Sequence, residues 1–121
     1  MCFNSHLAQH LGIATRRAVV GDELITKEFA RGLISFENTG NPGVLVCIAP
    51  GTKLRIDLPE EIQHRWGAKR TECVEFIDGA GADRIRLEQG TSLVLASLGA
   101  EVRATVLAIP KGEASVSSAA A

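Results

Sequence analysis

Two groupings of residues in this chain have the types and spacing for acid–base or thiol chemistry. His64 follows Glu60 by one helical turn in the run Pro59-Glu60-Glu61-Ile62-Gln63-His64-Arg65-Trp66-Gly67. Residues four apart meet on a helix face, and a carboxylate beside an imidazole is a pairing that general acid–base catalysis uses. Cys73 on the following apolar run is the nearest thiol in sequence and completes a candidate catalytic set of His64, Glu60 and Cys73. The same Glu-to-His spacing is also an ordinary helix-stabilising pair, worth about 0.3 kcal/mol. Cys47 and Cys73 lie inside apolar runs, so both thiols are expected to be buried rather than activated.

The second grouping is Cys2, His6 and His10, spaced to line one face of a continuous helix as metal ligands. Asn4 or Ser5 would cap such a helix and leave Cys2 outside it, so no metal site is predicted. The chain has no phosphate-binding glycine loop with lysine, no HExxH and no GxSxG, and no cofactor is predicted.

The elements that must position these residues are mostly strands. From Gly43 onward, short β-type runs alternate with turn residues: Val44–Ala49, Leu54–Leu58, Thr71–Ile77, Arg84–Glu88, Ser92–Leu98 and Val102–Ile109. Close-spaced strands joined by tight turns call for antiparallel pairing, because parallel strands need long crossovers. Leu54, Ile56 and Leu58 alternate with Arg55 and Asp57, the pattern of a strand wet on one side. Ser92–Leu98 and Val102–Ile109 read as a hairpin around Gly99-Ala100.

Pro59 opens one well-marked helix, followed by Glu60-Glu61 where the helix dipole favours negative charge. Gly67 stops it. Ile62 and Trp66 form its apolar side, with Trp66 expected to plug an open end of the sheet.

The first forty residues are less clearly patterned. Leu33–Glu37 reads as a strand. A helix from His6 to about Leu11 fits the beginning of the chain, and Asp22–Arg31 reads as a helix in preference to two strands around Gly21-Asp22. Residues 111–121, small and Ala/Ser-rich, read as a disordered tail behind a single globular domain of residues 1–110.

Composition narrows the functions. A formal charge of −1 supplies no global field for phosphate backbones or anionic lipid. Aromatics at 4% are too few to build base-stacking platforms. Three cysteines without a CxxC spacing, and no secretory leader pattern, fit a cytoplasmic protein with reduced thiols. No apolar run is long enough to span a bilayer.

Thr15-Arg16-Arg17, Gly21-Asp22-Glu23-Leu24, Ala49-Pro50 and Glu60-Glu61-Ile62 resemble, in order, pieces of the carbon-storage-regulator family of small RNA-binding β dimers. That resemblance implies RNA contacts at Arg16 and Arg17. It covers at most half the chain, its spacings differ throughout, and the apolar first strand ahead of the arginines is missing. The chain is not assigned to that family.

The expected fold is therefore α+β or mainly β: six to eight antiparallel strands in a curled sheet or small β-barrel, with one or two short helices. Strands apolar on both faces need cover, which points to a closed barrel or a homo-oligomer. The expected function is a non-catalytic interaction or accessory module that binds a second copy or another protein. The alternatives are a small apolar ligand bound in a barrel with Trp66 near the mouth, and an enzyme using His64 with Glu60 or Cys73.

Overall fold

The computed structural model describes residues 8–79 and 82–110. In chain order the elements are β1 (Thr15–Arg17), β2 (Glu23–Ala30), β3 (Leu33–Asn38), β4 (Asn41–Cys47), β5 (Lys53–Asp57), α1 (Glu60–Trp66), β6 (Thr71–Gly79), β7 (Ala82–Arg86), β8 (Ser92–Val94), a 3-10 turn (Leu95–Leu98) and β9 (Arg103–Ala108). A turn of helix at residues 8–10 precedes β1. The described strands form one nine-stranded open sheet in the order β1-β4-β3-β2-β9-β5-β6-β7-β8. Every pairing among them is antiparallel except β1 with β4. The sheet is mainly β and curled, because the 3-10 turn that follows edge strand β8 packs back against β3.

Alternation sorts the side chains. Leu24 and Thr26 of β2, Phe36 of β3, Val46 of β4, Leu54 and Ile56 of β5, Val74 and Phe76 of β6, Ile85 of β7, and Ala104 and Val106 of β9 are all buried. Apart from Thr26, these residues join one cluster that fills the concave side. At about 25 cal/mol per Å2 of buried apolar surface, this cluster is the main stabilising term.

Helix α1 forms as its sequence dictates. Pro59 is its extended N-cap residue, Glu60 and Glu61 stand in the first turn, and Gly67 closes it in the left-handed region at φ 65°. Its buried residue is Ile62, not Trp66, which is exposed. The expected tryptophan plug is thus corrected, because the short helix turns only its Ile62 side to the core. Among the described residues no helix is long and apolar enough to cross a membrane.

Three further expectations change. Asp22–Arg31 is not helical: Glu23–Ala30 is a strand that pairs with β3 and β9. Leu24, Ile25 and Phe29 fit a helical period as well as a strand, and pairing on both sides decides for the strand. The hairpin around Gly99-Ala100 does not exist, since β8 pairs with β7 while β9 lies between β2 and β5. Leu95 and Leu98 are buried three apart on a 3-10 turn, which a strand could not achieve on one face. Among the described residues the strands number nine, one more than the upper bound of six to eight. The expected disordered tail falls at 111–121, outside the described residues.

On β3 and β4 the second apolar side finds its cover within the chain, whereas Leu107 of β9 stays exposed. Leu33 and Leu45 alternate out of phase with Phe36 and Val46, yet both are buried, as is Ala8 at the start of the described chain. The N-terminal segment runs beside β4 there, with the Leu45 N–H donating to the Ala14 carbonyl at 2.9 Å.

Thr52, between β4 and β5, is fully buried, and its Oγ1 has no hydrogen-bond partner among the described residues. Its backbone is well used, donating to Ala49 and accepting from Phe76. Thr52→Val should therefore raise stability by about 1 kcal/mol, while Thr52→Ala lowers it by opening a void. Thermal melts of the two variants check this, and a Val variant less stable than wild type would show that the hydroxyl is satisfied in solution.

Candidate functional site

The structure brings His64 and Glu60 together and leaves them in solvent. His64 Nε2 lies 3.5 Å from Glu60 Oε1, with the two side chains 79% and 86% exposed. Arg65 and Glu61 repeat the same pairing on the next positions. No wall excludes water from either pair, so their geometry is that of helix-surface ion pairs.

Cys73 is not joined to them by any hydrogen bond or ion pair. It faces outward on β6 and is exposed, while Cys47 is half-buried. The expected burial is corrected for Cys73, which falls on the polar parity of its strand, opposite Arg55 in the register, while Cys47 packs against the core cluster. The Cys73 N–H donates to Glu88 Oε2 at 2.9 Å. Trp66 ends α1, where its carbonyl accepts from Gln89 Nε2. His10 is exposed, and Cys2 and His6 lie outside the described residues. Among the described residues no three His, Cys, Asp or Glu side chains converge to hold a metal ion.

Around Cys73 the convex face is a lattice of ion pairs. Glu75 Oε1 accepts from Arg86 at 2.9 Å and from Lys53 at 3.2 Å, and those two cations hold its carboxyl below the usual range. The Cys73 N–H and the Lys69 ammonium do the same for Glu88, which in turn raises Lys69. Glu72, buried beneath, accepts the N–H groups of Lys69 and Glu88. Such a mixed-charge, self-paired face suits water rather than a protein interface, whose centre is depleted of charge.

One corner differs. Asp22 precedes the inward series of β2 by two residues and is nearly buried. Arg16 of β1 grips it with two bonds, Nη2 to Oδ1 at 2.9 Å and Nη1 to Oδ2 at 3.1 Å. The Val19 N–H donates to Oδ2 at 2.8 Å and Asn38 Nδ2 to Oδ1 at 3.0 Å. Burial pushes this carboxyl up, but Arg16, the Val19 N–H and Asn38 together hold it below the usual carboxylate range. Arg16, expected from the resemblance to contact RNA, has both terminal nitrogens engaged on Asp22.

Above this clamp the chain turns through residues 18–21, the Asp22 N–H closing the turn onto the Val19 carbonyl. Val19 and Val20 stand 57% and 62% exposed at its tip. The Gly21 N–H donates to the Val106 carbonyl, which sets the turn beside Leu107, itself 40% exposed on the convex side of β9. Among the described residues, three of the five large exposed apolar side chains, Val19, Val20 and Leu107, thus lie on or beside the turn that leads from edge strand β1 to β2. Sequence patterning missed this corner because Gly21-Asp22 signals a turn and nothing more. The bidentate grip exists only once β1 and β2 are placed, while Val19-Val20 followed by Gly-Asp was the one visible sign of apolar residues in a turn.

No protein-family model matches the chain, and neither a curated protein nor a solved structure shows significant similarity to it.

Proposed function

We propose that this chain is a non-catalytic interaction module that self-associates through the corner formed by β1, the 18–21 turn and the end of β9. The observation that carries this reading is the gathering of exposed Val19, Val20 and Leu107 on and beside the turn that follows edge strand β1, while the charges around Cys73 pair with one another. Exposed apolar side chains grouped on one patch of surface mark a contact surface. Lodging an apolar ligand inside would require displacing Phe36, Leu54, Ile56 and Ile85, all fully buried.

Sedimentation velocity over a concentration series tests the reading. Wild type should show a reversible dimer, and Val20→Asp should weaken it at least tenfold, about 1.4 kcal/mol, without changing the far-UV circular dichroism. Val20 is an exposed turn residue outside the core cluster, so the variant keeps its fold. A wild-type chain still monomeric at roughly 1 mM, where even weak contacts associate, would overturn the proposal.

A further inference from the structure

We infer that self-association, if it follows the reading above, proceeds by exchange of an N-terminal strap, residues 8–18, between two copies of this chain. Within the sheet the strap is held by one side of one strand. Its β1 residues pair in parallel with β4, Thr15 with Leu45, Arg16 with Val46 and Arg17 with Cys47. Two further bonds bracket this pairing, Leu45 N–H to the Ala14 carbonyl and Ala18 N–H to the Cys47 carbonyl. It is the one parallel pairing among the described strands, and β1 is the edge of the sheet.

The slot along β4 is complementary to residues 14–18 by construction. A strap from a second copy fills it with the same backbone bonds, the same inward Arg16 and the same cover over Leu45. Exchange of an identical element creates a dimer without new complementarity, which makes it a low-cost route to association. The Arg16–Asp22 clamp survives the exchange: Arg16 travels with the strap and Asp22 stays with the body, so the bidentate pair forms between copies.

The closed and exchanged forms differ in the hinge, residues 19–21, between the strap and the body. In the closed chain this segment folds back on itself and holds Val19 and Val20 in water. When the hinge extends between two bodies, the two hinges run past each other near the two-fold axis, and four valines face one another with Leu107 at the border. The small apolar corner of one copy cannot alone supply the ~800 Å2 per partner of a standard interface. Strap and hinge together supply what it lacks.

The register gives a direct test. Arg17 and Cys47 are sheet neighbours on the side opposite Arg16 and Val46. Neighbouring strands lie about 4.8 Å apart, within the Cα range that a disulfide bridges. Arg17→Cys is introduced with Cys2→Ser and Cys73→Ser, the dimer fraction is isolated, oxidised, and examined by non-reducing electrophoresis and intact mass. Exchange predicts a covalent dimer closed by two bridges. A native dimer whose oxidised chains run as bridged monomers leaves self-association standing and overturns the exchange. A native dimer with all thiols free overturns the register on which the exchange depends. Absence of any dimer overturns both this inference and the function it rests on.

Discussion

Asp22→Ala should lower stability by roughly 3 kcal/mol, the range seen when one partner of a largely buried ion pair is removed. Four donors converge on this carboxylate: two from Arg16, one from the Val19 amide and one from Asn38. The loss of the carboxylate strands a guanidinium and two amides in a partly buried setting. Against a typical total of 5–15 kcal/mol the chain stays folded, with a Tm lower by about 10–15 °C. The damage should be local in origin: amide hydrogen exchange should speed up at Leu45 and Cys47, whose N–H groups point at β1. Arg16→Ala should cost less, because Arg16 is the more exposed partner. The double variant should cost clearly less than the sum, since the two side chains share one interaction. Additive losses, or an Asp22→Ala loss below 1 kcal/mol, would show that the clamp is not a structural hub.

The same carboxylate predicts acid sensitivity of definite sign. Its folded pKa lies below the ordinary value, so the unfolded chain takes up the proton first as pH falls. The clamp's contribution is complete above about pH 4, near the unfolded carboxyl pKa, and is lost as pH falls through the lower folded value. Glu75 and Glu88 act in the same direction from the surface. Asp22→Ala should therefore flatten the acid limb of a stability-versus-pH curve.

The second large effect is Thr26→Val, expected to cost about 2–3 kcal/mol despite the nearly identical shape. Thr26 is buried, and one residue makes four hydrogen bonds to the segment before β9. Its Oγ1 accepts from the Val102 N–H and donates to the Gly99 carbonyl, both at 2.8 Å. Its backbone N–H donates to the Val102 carbonyl, and its own carbonyl accepts from Glu101. Valine keeps the backbone bonds and leaves a buried N–H and a carbonyl without their partner. Glu101 sits at φ 67°, a left-handed conformation that disfavours a side chain by about 1 kcal/mol. The Thr26 side-chain bonds to Gly99 and Val102 bracket Glu101, and some of its strain relaxes when they go. Thr26→Ser retains the hydroxyl and should cost only about 1 kcal/mol. Urea melts showing Ser as damaging as Val would assign the loss to packing instead.

Elements whose own residues carry the signal were readable in advance. β5 alternates Leu54 and Ile56 against charged neighbours, and α1 carries its acidic first turn and its Gly67 stop. Elements decided by distant partners were not. Glu23–Ala30 becomes a strand because β3 and β9 flank it, and its inward Thr26 breaks the apolar period that would have marked it. Ser92–Leu98 has strand composition, yet its second half coils because Leu95 and Leu98 must both reach the core beside β3. Outward residues of β6 look hydrophobic only in company: Cys73 seems buried between Glu72 and Val74 until the register sets it opposite Arg55. The proposed site was the least legible part, since it joins β1, a turn and the end of β9 across more than eighty residues of chain.

The position of β9 has a consequence for how the protein comes into being. It is the last strand of the described chain, and it lies between β2 and β5, so within the sheet its hydrogen bonds alone join β1–β4 to β5–β8. Until Arg103–Ala108 clears the ribosome, the nascent chain can hold only two separate sheets, each with an open apolar flank. Glu23 must wait for Thr105 before that edge is paired. Contacts of such long sequence separation form slowly and leave incomplete chains prone to stick to one another. The cell's exposure to misassembly is thus set by the time taken to translate as far as β9, and a chain cut short before it would be a substrate for chaperones and proteases rather than a smaller version of the fold.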